Sequence, residues 1–175
     1  MHTALDIHHQ DGKENFNNQD FPLFTLFKSL QGDWNFTRNL NSTNKNLPSG
    51  NVIGTCGFSI ASKELQQYIY NEQGVFYSDV GEMNVKKNYV YELSDNMLSV
   101  YFTSNNEKSD LFHHLDFDTP RNVNIASGYH LCGNDEYFVK YQFALCDDGS
   151  VKEFSITYKV IGPMKNYTSF SKYRR

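Results

Sequence analysis

Apolar positions between Phe21 and Gly32 fall at Leu23, Phe24, Leu26, Phe27 and Leu30, close to the i, i+3, i+4, i+7 spacing of one helical face. Pro22 is tolerated in a first turn and Gly32 ends the run, so the pattern predicts a short amphipathic helix. The period then changes to two. In DWNFTRNL, Trp34, Phe36 and Arg38 share one face of a strand. Asn39 to Asn51 reads as a polar loop with Pro48 and Gly50. Beyond it, strand-like runs cover roughly 52–60, 64–71, 75–80, 84–93, 97–104, 111–117, 122–132, 136–146, 151–161 and 167–174. Turn chemistry separates them at Asn71–Gly74, Ser94–Asn96, Asn105–Asn106, Gly133–Asn134 and Asp147–Ser150. Short strands at this spacing, with no second helix, define an antiparallel sandwich or barrel.

Alternation also assigns faces. Tyr137, Val139, Tyr141 and Phe143 share one side of their strand; Phe154, Ile156, Tyr158 and Val160 share one side of theirs. Tyr89 pairs with Tyr91, and Leu98 and Val100 with Phe102. A buried phenol wants a partner for its hydroxyl, so an inward face rich in tyrosine points to a wet, networked or ligand-occupied interior. Tyrosines lying under a rim with their hydroxyls in water would give the same pattern.

Composition narrows the classes. The 175 residues make one domain, and 26 Phe and Tyr against a single Trp suit pleated surfaces. A net charge of −4 with no basic stripe argues against nucleic acid and anionic membrane. Mean hydropathy is −0.61 and no window approaches a membrane span. Cys56, Cys132 and Cys146 form no CxxC, so no zinc ribbon or redox pair is indicated and no metal is expected. No secretory signal is visible, which makes a cytoplasmic protein with free thiols the expectation. Residues 1–20 are polar and Asn-rich and read as a disordered or loosely packed arm, His2, His8 and His9 included, ahead of a folded domain over 21–175.

Two sets of residues carry a resemblance. Gly32-Asp33-Trp34 opening the first strand, with Lys172-Tyr173-Arg174-Arg175 closing the last, resembles the signature of calycins: lipocalins, fatty-acid-binding proteins and avidins. The resemblance implies that Arg174 lies across the Trp34 indole, bonds nearby carbonyls and shuts one barrel end. Phe112-His113-His114-Leu115-Asp116, His130-Leu131-Cys132-Gly133-Asn134-Asp135-Glu136-Tyr137 and Gly162-Pro163-Met164-Lys165-Asn166-Tyr167 form a second set. With Leu30–Trp34 and Tyr70–Gly74, they are similar over about residues 24–174 to a calycin-like family catalogued as domain of unknown function 6314. Asn166, where an acid is expected, and the Asn-rich insertion after the first strand depart from that pattern. The resemblance implies an all-β fold: a single antiparallel calycin-like barrel of about 8–10 strands, its short N-terminal helix closing one end.

Barrels of this size hold one small ligand. The leading expectation is a carrier or sensor for a small apolar or aromatic ligand, as monomer or homodimer, with His113, His130, Tyr137, Tyr141, Tyr158 and Tyr91 lining the cavity. Cys132 shares a face with His130, which allows an activated thiol or a plain buried one. Asp135 reads as a turn cap that accepts backbone N–H bonds, and Asp116 as a carboxylate that could orient an imidazole. The alternatives are a cofactor-independent isomerase, cyclase or lyase using His and Tyr as acid and base, haem or tetrapyrrole binding through His113, His114 or His130, and an interaction module. No G-x-S-x-G, P-loop, G-x-G-x-x-G or H-E-x-x-H occurs.

Overall fold

The computed structural model describes residues 22–175 apart from residues 65, 106 and 120; the polar arm and its three histidines lie outside the described residues. The helix α1 spans Pro22–Ser29. Ten strands follow: β1 Gly32–Ser42, β2 Gly50–Ser62, β3 Gln67–Ser78, β4 Gly81–Ser94, β5 Met97–Ser104, β6 Glu107–Thr119, β7 Asn122–Cys132, β8 Asp135–Leu145, β9 Val151–Ile161 and β10 Tyr167–Arg174. Each pairs antiparallel with its sequence neighbour, and β1 pairs with β10, so the sheet closes into a ten-stranded barrel. Closure removes the sheet edges that an open meander would expose.

The helix end of the barrel is filled. Leu23, Leu26, Phe27 and Leu30 are buried in the same cluster as Trp34, Leu98, Leu115, Val123, Phe143 and Phe154. Phe27 stacks on Tyr68 with ring centroids 4.5 Å apart, and Trp34 meets Phe154 edge-on at 5.0 Å. The indole Nε1 of Trp34 donates to the Leu30 carbonyl at 2.9 Å. The cation over the indole is Arg175, 4.1 Å from the ring centroid, whose Nη2 also donates to the Ser29 and Gln31 carbonyls at 2.6 and 2.7 Å. These carbonyls end the helix and have no partner within it.

That geometry corrects the assignment of Arg174. Tyr173 points inward on β10, so its neighbour Arg174 points out, where its Nε donates to Glu153 at 3.0 Å. A one-residue step flips the face.

Two further expectations are corrected. The Asn71–Gly74 string is the middle of β3, continuously paired with β2 and β4. Its hydrophilic residues alternate, with Asn71 and Gln73 outside and Glu72 inside, so they read locally as a turn. The first strand also runs on to Ser42, leaving only residues 43–49 as the connection to β2.

Three irregularities shape the far end. Val100 pairs with His113 but Tyr101 with Leu111, so Phe112 is an extra residue on β6 and both Phe112 and His113 are buried. Pairing between β6 and β7 runs only from Asp116–Ser127 to Thr119–Asn122 among the described residues. Pairing between β4 and β5 likewise ends at Tyr89–Phe102. The wall therefore loosens on two sides away from the helix.

Candidate functional site

Halfway along the barrel lies a buried ionic layer. The Arg38 guanidinium grips Glu72 with both arms, Nη1 to Oε1 at 2.7 Å and Nη2 to Oε2 at 2.6 Å. Its Nε donates to the Ser171 hydroxyl at 2.7 Å, and the Tyr70 hydroxyl donates to Glu72 Oε2 at 2.6 Å. The residue-level exposures are 8% for Arg38 and 3% for Glu72, so only full pairing makes this placement tolerable. Burial works against both charges. The Tyr173 hydroxyl and Glu72 outweigh it and hold Arg38 more firmly protonated than usual, while bonding to Arg38 keeps the Glu72 carboxyl below its ordinary range.

Above the layer, the inward positions change character. Tyr89, Phe102, His130, Tyr137, Tyr158 and Tyr167 all point in, yet each is only half-buried. Phe112 sits at their centre, stacked on Tyr89 at 5.5 Å and on Tyr158 at 6.0 Å, with the His130 ring edge-on at 5.1 Å. Inward side chains that keep accessible surface line a recess, not a packed core. Lys87 belongs to it too. It pairs across the ladder with Glu72 and lies in phase with Tyr89 and Tyr91, so its side chain faces the interior.

A hydrogen-bonded cluster lies beneath the recess. The Tyr141 and Tyr91 hydroxyls are 3.0 Å apart, and His113 Nε2 lies 3.4 Å from the Tyr141 hydroxyl. Burial, then neighbouring phenols, hold Tyr91, Tyr141 and Tyr158 well above the ordinary phenol range. Burial, aided by His130 and His114, pulls His113 down to about 3. Its imidazole is therefore neutral, and its Nδ1 is buried with no bonding partner among the described residues.

The structure thus sorts the expected ligand-binding residues into two groups. His130, Tyr137 and Tyr158 border the recess, whereas His113, Tyr91 and Tyr141 lie beneath it as one network. Of the three histidines considered for haem, His114 faces Ser99, with Nδ1 2.8 Å from the hydroxyl, and His113 is enclosed; His130 alone of them reaches the recess. Among the described residues, no group of three or more His, Cys, Asp or Glu side chains is placed to hold a metal.

Asp135 accepts backbone N–H bonds, but from the neighbouring loop, not its own turn. Its Oδ1 takes Met164 N at 3.0 Å and Lys165 N at 3.2 Å. Gly162 makes this fit, because a Cβ there would overlap the Asp135 carboxylate. The anchored loop brings Lys165 Nζ to 2.7 Å from the Tyr137 hydroxyl at the rim. Cys132 is exposed at the end of β7, and the three thiols are free.

Sequence reasoning missed Glu72, Lys87 and Arg175. Glu72 was concealed in a turn-like string. Lys87 carried a readable signal, since it sits two residues before Tyr89 and four before Tyr91 on a period-two strand.

A closed antiparallel barrel with its first strand paired to its last, capped by a helix and an Arg–Trp contact, is a calycin-like barrel. The chain belongs to the Family of unknown function (DUF6314), whose model matches residues 30–175. No curated protein sequence matches it. Among solved structures, the S-type phycobiliprotein lyase CPES of Guillardia theta shares the fold, with a TM-score of 0.58 at 10% identity over 85% of this chain and 89% of that one. A DUF3598-family protein of unknown function from Nostoc punctiforme aligns at a TM-score of 0.46 and 7% identity over 84% of this chain, which spans 47% of that protein's chain. Among the described residues, no helix is long and apolar enough to cross a membrane.

Proposed function

We propose that the protein is a small-molecule-binding barrel, a carrier or sensor that takes an apolar or aromatic ligand into the recess opposite the helix. The observation that carries this reading is the ring of half-buried, inward-facing aromatics around Phe112, set above an interior that is otherwise packed. Aromatic walls supply area for burial, and the hydroxyls of Tyr89, Tyr137 and Tyr158 with the imidazole of His130 supply orienting hydrogen bonds. The fold shared with a phycobiliprotein lyase is consistent with this, and makes a tetrapyrrole a ligand class to include in the test.

An acid–base enzyme in the same cavity is supported less well. His113 is driven to about 3 and the buried phenols are driven upward, away from the range in which they would exchange protons near neutrality, which leaves Lys87, drawn down to about 8, as the shifted group nearest that range. For tetrapyrrole ligation, His130 is the histidine that the recess offers.

Native mass spectrometry of gently purified protein, with an absorption spectrum from about 280 to 700 nm, tests the reading. A co-purifying mass, or one-to-one uptake of a neutral aromatic probe such as N-phenyl-1-naphthylamine, supports it. An apo mass together with no uptake of the probe at millimolar concentration overturns it.

A further inference from the structure

Among the described residues, Lys87 is an inward-facing cation of the recess that makes no ion pair. Glu72 is the nearest carboxylate, but both its oxygens are already committed, Oε1 to Arg38 and Oε2 to Arg38 and Tyr70. Arg38 and Glu72 cancel each other. Lys87, directly across the ladder from Glu72, makes no ion pair among the described residues. Its side chain keeps a large accessible surface although it is surrounded by neighbouring atoms, as happens in a recess that admits water. Its inward neighbours along β4 are Val85 and Tyr89, and Glu72 and Arg38 act on it from across the ladder. Among the described residues, the pairing of β4 with β5 ends at Tyr89–Phe102, so Lys87 also stands where the wall loosens.

We infer that Lys87 anchors a ligand carrying a carboxylate, with the anionic head at the Lys87 ammonium and the apolar body against the accessible faces of Tyr89, Phe102 and Tyr158. The inference rests on the binding reading above and narrows its ligand class to aromatic or apolar acids. Its physical basis is charge balance: an ammonium beside a guanidinium in a partly desolvated recess is stabilised by an anion, and an N⁺–H···O⁻ bond there is about twice as strong as a neutral one. Burial first, then the Arg38 charge, pull the Lys87 ammonium down to about 8, against a smaller opposing effect of Glu72. A carboxylate arriving there relieves that stress.

The test compares pyrenebutyric acid with its methyl ester, two fluorescent probes with the same apolar body. The wild-type protein is expected to bind the acid about tenfold more tightly than the ester, the size of one charge-assisted contact. Lys87→Met is expected to bring the ratio to about one while leaving ester affinity within about threefold. Lys87→Arg should keep the preference, which guards against reading a misfolded variant as a result. Lys86→Met should also keep it, because Lys86 faces the outside of the same strand. Equal binding of acid and ester by the wild type, or a preference that survives Lys87→Met, overturns the anchor while leaving the binding reading intact. Binding of neither probe overturns both.

Discussion

The two ends of this barrel follow the same alternation and end up differently. At the helix end, inward Leu26, Leu30, Trp34, Leu98 and Phe154 are buried, and the indole of Trp34 and the guanidinium of Arg175 bond the carbonyls at the end of the helix. At the far end, inward Tyr89, Phe102, His130, Tyr137 and Tyr158 are half-buried and Lys87 is exposed. Between them the Arg38–Glu72 layer divides a packed base from a wet recess. The contrast sets a close-packed half against a half whose inward side chains keep accessible surface. A core optimised throughout would have put branched aliphatics at positions 87, 89, 137 and 158.

The comparison breaks most severely at the dividing layer. Glu72→Leu strands the Arg38 charge inside the barrel and should cost about 3–5 kcal/mol, read from urea unfolding. Adding Arg38→Met to it should restore most of that loss, because an apolar pair of similar volume replaces the ionic one. If the double variant is as weak as the single one, the layer owes its importance to something other than charge pairing.

Acid should act next, and in a defined window. His113 has its folded value lowered from 6.5 to about 3, so the unfolded chain takes up a proton first. Stability from His113 is complete above pH 6.5 and falls as pH drops toward 3, by about 2 kcal/mol at pH 5. The Glu72 contribution, whose folded value lies below 4.5, begins to be lost only under that pH. His113→Phe should flatten the stability curve between pH 6.5 and 5, and an unchanged slope would remove His113 from the account.

A smaller effect separates neighbouring arginines. Arg175→Met should cost about 1 kcal/mol and raise hydrogen exchange at the end of α1, since it removes the indole contact and the caps on Ser29 and Gln31. Arg174→Met, which loses one exposed pair with Glu153, should change stability by less than about 0.5 kcal/mol. The smallest effect on stability belongs to the recess itself. His130→Ala should shift unfolding by about 0.5 kcal/mol or less, yet weaken an aromatic probe severalfold.

Much of the fold was legible in the sequence because period-two alternation is a local signal. The burial of Trp34, Phe36 and Arg38, of Phe154 and Ile156, and of Leu98 and Val100 follows directly from it. The site was legible only in part. His130, Tyr137 and Tyr158 stand out as polar aromatics on inward faces, but their separation from His113, Tyr91 and Tyr141 depends on depth within the barrel, which alternation does not encode. Glu72 needed knowledge of Arg38, 34 residues earlier in the chain and two strands away. The bulge that buries both Phe112 and His113 breaks the period at the position where it matters. Arg175 in place of Arg174 shows the sensitivity in miniature, since one residue decides whether a cation caps the barrel or faces water.

The central claim is that the accessible space lies inside the far end. The most direct measurement is a set of ¹H–¹⁵N spectra recorded while N-phenyl-1-naphthylamine is titrated in. The account predicts saturable shifts at Lys87, Tyr89, Phe102, Phe112, His130, Tyr137 and Tyr158, with Trp34, Phe27 and Leu98 unmoved. Shifts confined to the outer face of the sheet or to the helix end, or a spectrum that does not change at saturating probe, would contradict it.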